Sequence, residues 1–383
     1  MKKRKRFSRD DVMRNAGKRS IVYAYPQWHT VSFTLVAKKH IEQLRKYTKV
    51  YEWDETTIPD IYVTTPFALV IHPVFGAVWR WLQQTSWIEP NLDAALDTLS
   101  SRLHKFEKVV GFEVADSDAV SGLAIKLLAP VDEVCVPSEW SRQSFINSGC
   151  KKPVHVVPHG LDREWYTTPP INPSEIGNQA LQMLYRYKLD YGKKLLTFWL
   201  WHSSERKGYP EVQQFYEKLR KERDDVALVI KTQGSLNLDV QLASRLNIVN
   251  VWGWLDDREK MLLYDLSDIT LLFSRGGAFE INGLESLARG VPIIAHRKGP
   301  WAEYAPDWCL VPEALRVKVF ADNAIHTGYG YTIDVEKAVD LAHAMLDNLD
   351  EYKACTKEYA QKVLAEKYTW ERVGAQIWDI VSR

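Results

Sequence analysis

Two stretches in the second half of the sequence gather residue types that can hold an anion beside a hydroxylated ligand. The first is His202-Ser203-Ser204-Glu205-Arg206-Lys207-Gly208-Tyr209-Pro210, directly after the apolar run 194–201. Ser203 and Ser204 are of the type that caps a helix. Arg206 and Lys207 bring two cations to the same turn, and a helix N-terminus with adjacent cations is an anion site. The same residues also suit an ordinary charged surface loop. The second stretch runs Ser274-Arg275-Gly276-Gly277-Ala278-Phe279-Glu280-Ile281-Asn282-Gly283-Leu284-Glu285, between an apolar run and a helical pattern. Its Gly-Gly turn frees backbone N–H groups to point at a phosphate or a sugar. Glu285 falls about one and a half helical turns beyond Glu280. Beside a glycine turn it reads as an acceptor for sugar or ribose hydroxyls rather than as a solvated helix acid.

Other chemistries find no support. The turn after the first apolar run, Tyr25-Pro26-Gln27-Trp28-His29-Thr30, holds no glycine, and no Walker-type glycine-lysine loop occurs. Hydride transfer and P-loop phosphate chemistry are therefore disfavoured. Neither the lone Asp116-Ser117-Asp118 triplet nor any His/Asp cluster offers a convincing divalent-metal site, so neither metal nor cofactor is expected.

The elements that must position these residues alternate regularly. Apolar runs at 20–25, 49–53, 67–72, 109–113, 133–136, 154–158, 194–201, 226–232, 248–252, 269–274 and 292–296 predict strands. Many are continuous Val/Ile/Leu runs, as a parallel sheet covered on both faces requires. Helical patterns at 33–47, 140–148, 211–223 and 257–266 sit between them, which means an α/β fold. Residues 167–175 carry three prolines and no periodicity and read as a linker. The expected organisation is a basic tail 1–20, a Rossmann-like domain 21–166 and a linker region 167–192. A second Rossmann-like domain follows at 193–366, and a closing helix 367–383 packs back on the first. Ligands of two such open sheets are expected in the cleft beyond their carboxyl ends.

Composition bounds the class. With 383 residues, 46% hydrophobic and 26% charged, the chain is an ordinary globular one of about two domains. Fifty Lys/Arg oppose 49 Asp/Glu. That balance is uneven: residues 1–20 carry nine Lys/Arg against Asp10 and Asp11. This tail is either a frayed terminus or a dock for anionic headgroups or nucleic acid. The four cysteines show no pairing or ligand spacing and read as reduced thiols of a cytosolic protein. No spanning helix and no secretory signal is expected.

Ordered pieces now add up to a resemblance. They are Val136-Pro137-Ser138-Glu139-Trp140, Val156-Val157-Pro158-His159-Gly160-Leu161-Asp162 and Arg206-Lys207-Gly208. Trp252-Gly253-Trp254, Asp265-Leu266-Ser267-Asp268, the 280–292 segment and Tyr368-Thr369-Trp370-Glu371 follow. In this order, over 131–383, the chain resembles the retaining GT-B glycosyltransferases related to glycosyltransferase family four. The resemblance implies two doubly wound domains facing a cleft and a cytoplasmic, hexosyltransferase-like enzyme of glycan biosynthesis, working without metal. The donor is a nucleotide-diphosphate sugar. The acceptor is a glycan, a lipid-linked molecule or a protein, with peripheral membrane contact through residues 1–20. It puts Lys207 on the donor diphosphate and His202 where relatives have arginine, with Arg206 sharing that load. Glu285 matches the second glutamate of an E-x7-E pair, which binds ribose hydroxyls. Gly277 stands where the first glutamate would be, and Glu280, in a usual glycine position, is a substitute carboxylate. Lys207, Glu280 and Asp116 are the catalytic candidates. His202, Ser203, Arg206, Lys207, Gly276, Gly277, Ala278, Phe279 and Glu285 form the donor side.

The N-terminal half departs from the pattern. Trp28-His29 replaces a glycine pair, and Glu113-Val114-Ala115-Asp116-Ser117-Asp118 replaces a histidine that touches the transferred sugar. Trp28, His29 and Glu113 are the acceptor-side candidates. Any of Glu113, Asp116 and Asp118 could face the cleft, or Asp116 and Ser117 could cap the helix ending near Leu128. Fifteen tryptophans include the i, i+2 pairs Trp79/Trp81, Trp199/Trp201 and Trp252/Trp254. Such pairs put both rings on one strand face and read as core packing. Two alternatives remain: a transferase with a nucleic-acid acceptor, suggested by the tail, and a silent sugar-nucleotide or glycan binder, suggested by Gly277.

Overall fold

A computed structural model of the chain describes residues 20–28, 32–60, 67–85, 91–200, 204–234 and 240–383. The basic tail, His29, Trp201, His202 and Ser203 lie outside the described residues. The chain divides into two compact units. The first comprises the described residues up to Ala115, Ala119–Gly160 and Trp370–Arg383. The second comprises Asp116–Asp118 and the described residues of Leu161–Thr369.

Strands β1 (Ser20–Tyr25), β2 (Val50–Asp54), β3 (Phe67–Ile71), β4 (Lys108–Phe112), β5 (Glu133–Val136) and β6 (Val154–Val156) form the first sheet. Its order is β2-β1-β3-β4-β5-β6, parallel throughout. Every residue of β1 and β3 is buried, as continuous apolar strands with helices on both faces demand. The C-terminal helix Trp370–Ser382 packs on Ser32–Leu44 through a close approach, since a Cβ on Gly374 would collide with Gln43. Its Trp370 ring meets His40 and His159.

Strands β7 (Lys194–Leu200), β8 (Val226–Thr232), β9 (Ile248–Trp252), β10 (Ile269–Leu272), β11 (Ile293–His296) and β12 (Leu310–Val311) form the second sheet. Its order is β12-β11-β10-β7-β8-β9, again parallel. The register row Ile294, Leu271, Phe198, Ile230, Asn250 crosses its middle. Helix Tyr209–Glu222 buries Val212, Phe215, Tyr216 and Leu219, one 3.6-residue stripe. An antiparallel hairpin, β13 (Glu313–Lys318) with β14 (Tyr329–Ile333), is an addition that the apolar runs did not announce.

Two expectations need correction. The stretch 167–192 is not a free linker: Ile171, Ile176, Leu181 and Leu184 lie in the second unit's core, the last two on helix Gln179–Tyr191. Arg289 grips the carbonyls of Thr168 and Pro169 together with Asp265. The tryptophan pairs also differ. Trp79 and Trp81 lie on helix Val74–Thr85, where i and i+2 face apart, so Trp81 is buried and Trp79 exposed. Trp252 and Trp254 flank Gly253 at φ +96 and are 60% and 55% exposed, not core.

Among the described residues no helix is long and apolar enough to cross a membrane.

Candidate functional site

The site is built at the carboxyl end of the second sheet. Beyond β7 the chain turns tightly through 204–208, with the Gly208 N–H donating to Glu205 O and the Tyr209 N–H to Ser204 O. Gly208 has φ +74, and a Cβ there would run into the Phe273 carbonyl. Glycine is required twice over, for the left-handed backbone and for the contact. Gly208 itself occupies the cap of helix Tyr209–Glu222, and no side chain caps it. The capping expected of Ser204 is therefore not made. Instead the Arg275 N–H donates to Arg206 O at 2.7 Å, tying this loop to the glycine turn after β10.

That turn places a carboxylate where the sequence had lost one. Glu280 caps helix Ile281–Ala288 with φ +63, a left-handed conformation that costs a non-glycine residue about 1–2 kcal/mol. Its carboxylate folds back beneath Gly277: a Cβ on Gly277 would lie 2.6 Å from Glu280 Oε1. Lys207 Nζ donates to both Glu280 oxygens at 2.6 Å, and Ser274 Oγ donates to Oε1 at 3.3 Å. Tyr304 Oη holds the Glu280 carbonyl at 2.7 Å, in space that Gly283 leaves open.

Arg206 completes the cluster. Its Nη1 donates to Gly276 O at 3.2 Å and lies 3.6 Å from Glu280 and 3.8 Å from Asp116. Arg206 is buried, and its Nε has no hydrogen-bond partner among the described residues. An unpaired buried guanidinium N–H is costly unless a ligand meets it. Burial pulls the Lys207 ammonium below the ordinary lysine range, and Glu280 offsets part of that. Two cations thus face two carboxylates at largely buried positions, where electrostatic interactions are stronger than in water.

Asp116 enters through its backbone as much as its side chain. Its carbonyl presses on Gly276, so a Cβ there has no room, and its N–H donates to His326 Nδ1 at 3.3 Å. The hairpin clasps the neighbours: Ser117 Oγ accepts from the Gly328 N–H and Asp118 from the Tyr329 N–H and Arg316. Asp116 and Ser117 do not cap the helix Gly122–Leu127; Ser121 does.

Glu285 lies one turn along helix Ile281–Ala288, its side chain only 5% exposed. Lys260 Nζ donates to Oε1 at 2.9 Å and Tyr264 Oη to Oε2 at 3.0 Å. Lys260 and Tyr264 are i and i+4 on helix Asp257–Leu266, so the helical period could have paired them from sequence. Lys231, buried on β8, donates to the Gly253 carbonyl at 2.5 Å, and burial lowers it to about 8.

Ala278 and Phe279 are buried in the glycine turn, Phe279 against Tyr304 and Tyr368. They shape the turn and offer no polar side chain. Of the acceptor-side candidates, His29 lies outside the described residues, and Trp28 and Glu113 have separate partners. Buried Glu113 accepts from the Phe75 N–H at 2.7 Å at the start of helix Val74–Thr85, a structural use. Trp28 is exposed and lies under the Arg80 guanidinium, 4.6 Å from ring centroid to Cζ. Among the described residues no three His, Cys, Asp or Glu side chains group as a metal-ligand set.

Comparison with known proteins agrees with this architecture. Residues 189–362 match the family model of glycosyl transferases group 1. Uncharacterized protein 356 of Sulfolobus islandicus rod-shaped virus 1 is 33% identical over 377 residues, 95% of this chain and 99% of that protein. Putative glycosyltransferase 45 of a Sulfolobus islandicus filamentous virus is 28% identical over 72% of this chain and 74% of its own. Among solved structures, Anabaena HepE, determined in complex with UDP and glucose, superposes with a TM-score of 0.63. It does so at 14% identity, over 95% of this chain and 100% of its own. The chain carries a glycosyltransferase group 1 domain over residues 189–362 and has the GT-B fold.

Proposed function

We propose that the chain is a retaining transferase that moves a hexosyl group from a nucleoside-diphosphate sugar to an acceptor hydroxyl without a bound metal. The observation that carries this reading is the Arg206–Lys207–Glu280–Asp116 cluster beside the glycine turn, with an Arg206 Nε that is unpaired among the described residues. In this reading the donor diphosphate meets Lys207 and the free Arg206 N–H. Glu280, standing in the side-chain space of Gly277, turns to a sugar hydroxyl, and Glu285 takes the ribose hydroxyls. HepE's complex with UDP and glucose supports the donor class. The bond from the anomeric carbon to the phosphate oxygen breaks, and the acceptor oxygen bonds on the same face. Its proton passes to the departing phosphate. Fixed cations and amides stabilise the charge that develops there, which is electrostatic preorganisation.

The acceptor is a glycan, a lipid-linked molecule or a protein in the cytoplasm, with residues 1–20 as the peripheral membrane contact. Flotation on anionic liposomes of the full chain, against one lacking 2–9, tests that contact. The central test is a panel of nucleotide sugars, in chelator, read for released nucleoside diphosphate and for product anomeric configuration by NMR. Slow release from one donor and retained configuration are expected. Tight binding with no release from any donor, or an inverted product, would overturn the proposal.

A further inference from the structure

Glu285 is a buried anion with two dedicated partners, and that pairing has a consequence for nucleotide selection. Its Oε1 is taken by Lys260 and its Oε2 by Tyr264. An ionised carboxylate accepts about four hydrogen bonds, so about two remain. A ribose presents two adjacent hydroxyl donors, and a carboxylate fixed at both oxygens matches such a diol.

The two partners are themselves fixed. Helix Asp257–Leu266 starts in a full capping box between Asp256 and Glu259, which anchors its first turn. Lys260 also reaches Asp257 at 3.2 Å and lies over the Trp165 ring at 5.6 Å. Burial works against the ammonium, but Glu285 and then Asp257 more than offset it and leave Lys260 above the usual lysine value. Tyr264 is fully buried, and its hydroxyl lies 3.1 Å from the Asn282 carbonyl as well. Removing one member of a buried ion pair leaves an uncompensated charge. Glu285 without Lys260 would be expected to turn or to recruit another cation.

We infer that Lys260 is a positioning residue for ribose recognition, holding Glu285 in place as a preformed acceptor of a vicinal diol, with Tyr264 fixing the second oxygen. This rests on the reading that Glu285 meets the ribose. Lys260 itself touches no ligand.

The test is isothermal titration of the full chain with whichever of UDP, GDP or ADP binds best, and with its 2′-deoxy counterpart. Wild type should prefer the ribonucleotide by roughly tenfold, the worth of one charge-assisted hydrogen bond. Lys260→Met should lose most of that preference, and Lys260→Arg should recover it. Tyr264→Phe should lose about half of it on a logarithmic scale. In turnover, Lys260→Met should raise KM for the donor with kcat nearly unchanged. Lys260→Gln serves if the methionine variant does not fold. A preference kept by both Lys260→Met and Lys260→Gln but lost by Glu285→Gln would overturn the inference alone. A preference kept by Glu285→Gln would overturn it together with the reading of Glu285.

Discussion

A carboxylate exchange between positions 277 and 280 tests the site most directly. The Glu280 side chain reaches the space below Gly277 from a backbone at φ +63, and the three atoms nearest to a Gly277 Cβ would be Glu280 Oε1, Cγ and Cδ, at 2.6, 3.2 and 3.3 Å. Removing Glu280 therefore empties the place that a glutamate at 277 would need. Three variants follow: Glu280→Gly, Gly277→Glu and the double exchange.

Glu280→Gly has two opposed effects. Glycine relieves a left-handed strain of about 1 kcal/mol. The lost bonds from Lys207 are charge-assisted, worth about 1.5–3 kcal/mol. Net stability should fall by no more than about 2 kcal/mol, while turnover should fall about 100-fold, equivalent to about 2.7 kcal/mol of transition-state stabilisation. Gly277→Glu alone forces a second carboxylate against the first, and overpacking of this kind costs roughly 1–3 kcal/mol. In the double variant the clash is gone, the backbone at 280 is relaxed, and a carboxylate is again within reach of Lys207. Turnover should return to within about tenfold of wild type, a recovery of at least about 1.4 kcal/mol over Glu280→Gly. The assays are urea unfolding and initial-rate release of nucleoside diphosphate. A double variant no faster than Glu280→Gly would show that the position of this carboxylate does not matter, and the account of the cluster would fail.

Other consequences are simpler to state. Gly208→Ala puts a Cβ into the Phe273 carbonyl at φ +74, so it should cost about 3 kcal/mol or more and lower the unfolding midpoint sharply; an unchanged midpoint would contradict the packing of the 204–208 loop. Arg206→Met removes the guanidinium whose Nε is unpaired and should weaken inorganic pyrophosphate binding by roughly 10–100-fold, measured by titration; unaltered binding would remove Arg206 from the anion site. His72, lowered to about 3, His159 and His296, each lowered to about 4, and His40, held well below 6.5, are all pulled down in the first place by burial. Between about pH 4 and 6.5 the unfolded chain therefore binds more protons than the folded one. Their stabilisation is complete above pH 6.5 and is lost as pH falls toward the folded values, on the order of several kcal/mol in total. The urea midpoint should drop between pH 7 and 4.5, and a flat profile would show these rings to be accessible.

The parts of this molecule that were legible in its sequence are those decided by local pattern. Strands such as 20–25 and 226–232 coincide with β1 and β8 because a parallel strand buried along its whole length is mostly apolar. The hairpin β13–β14 escaped because most of β13 is exposed, so burial left no mark on it. The Trp79/Trp81 pair misled because i and i+2 share a face in a strand but not in a helix, and Trp252/Trp254 because the chain leaves the sheet at Gly253. At the site, the glycine turn and the two cations could be read from residue type and order. Glu280, in a usual glycine position, could be read as a substitute carboxylate; what could not be read are the contacts that hold it at φ +63 beneath Gly277. Nothing in residue spacing signals them, because the strain is offset by Lys207, Ser274 and Tyr304, which come from other segments. Strain held by converging partners is stored where function needs it more often than elsewhere. The local pattern thus specified the scaffold, while the departure from it marks the charged centre.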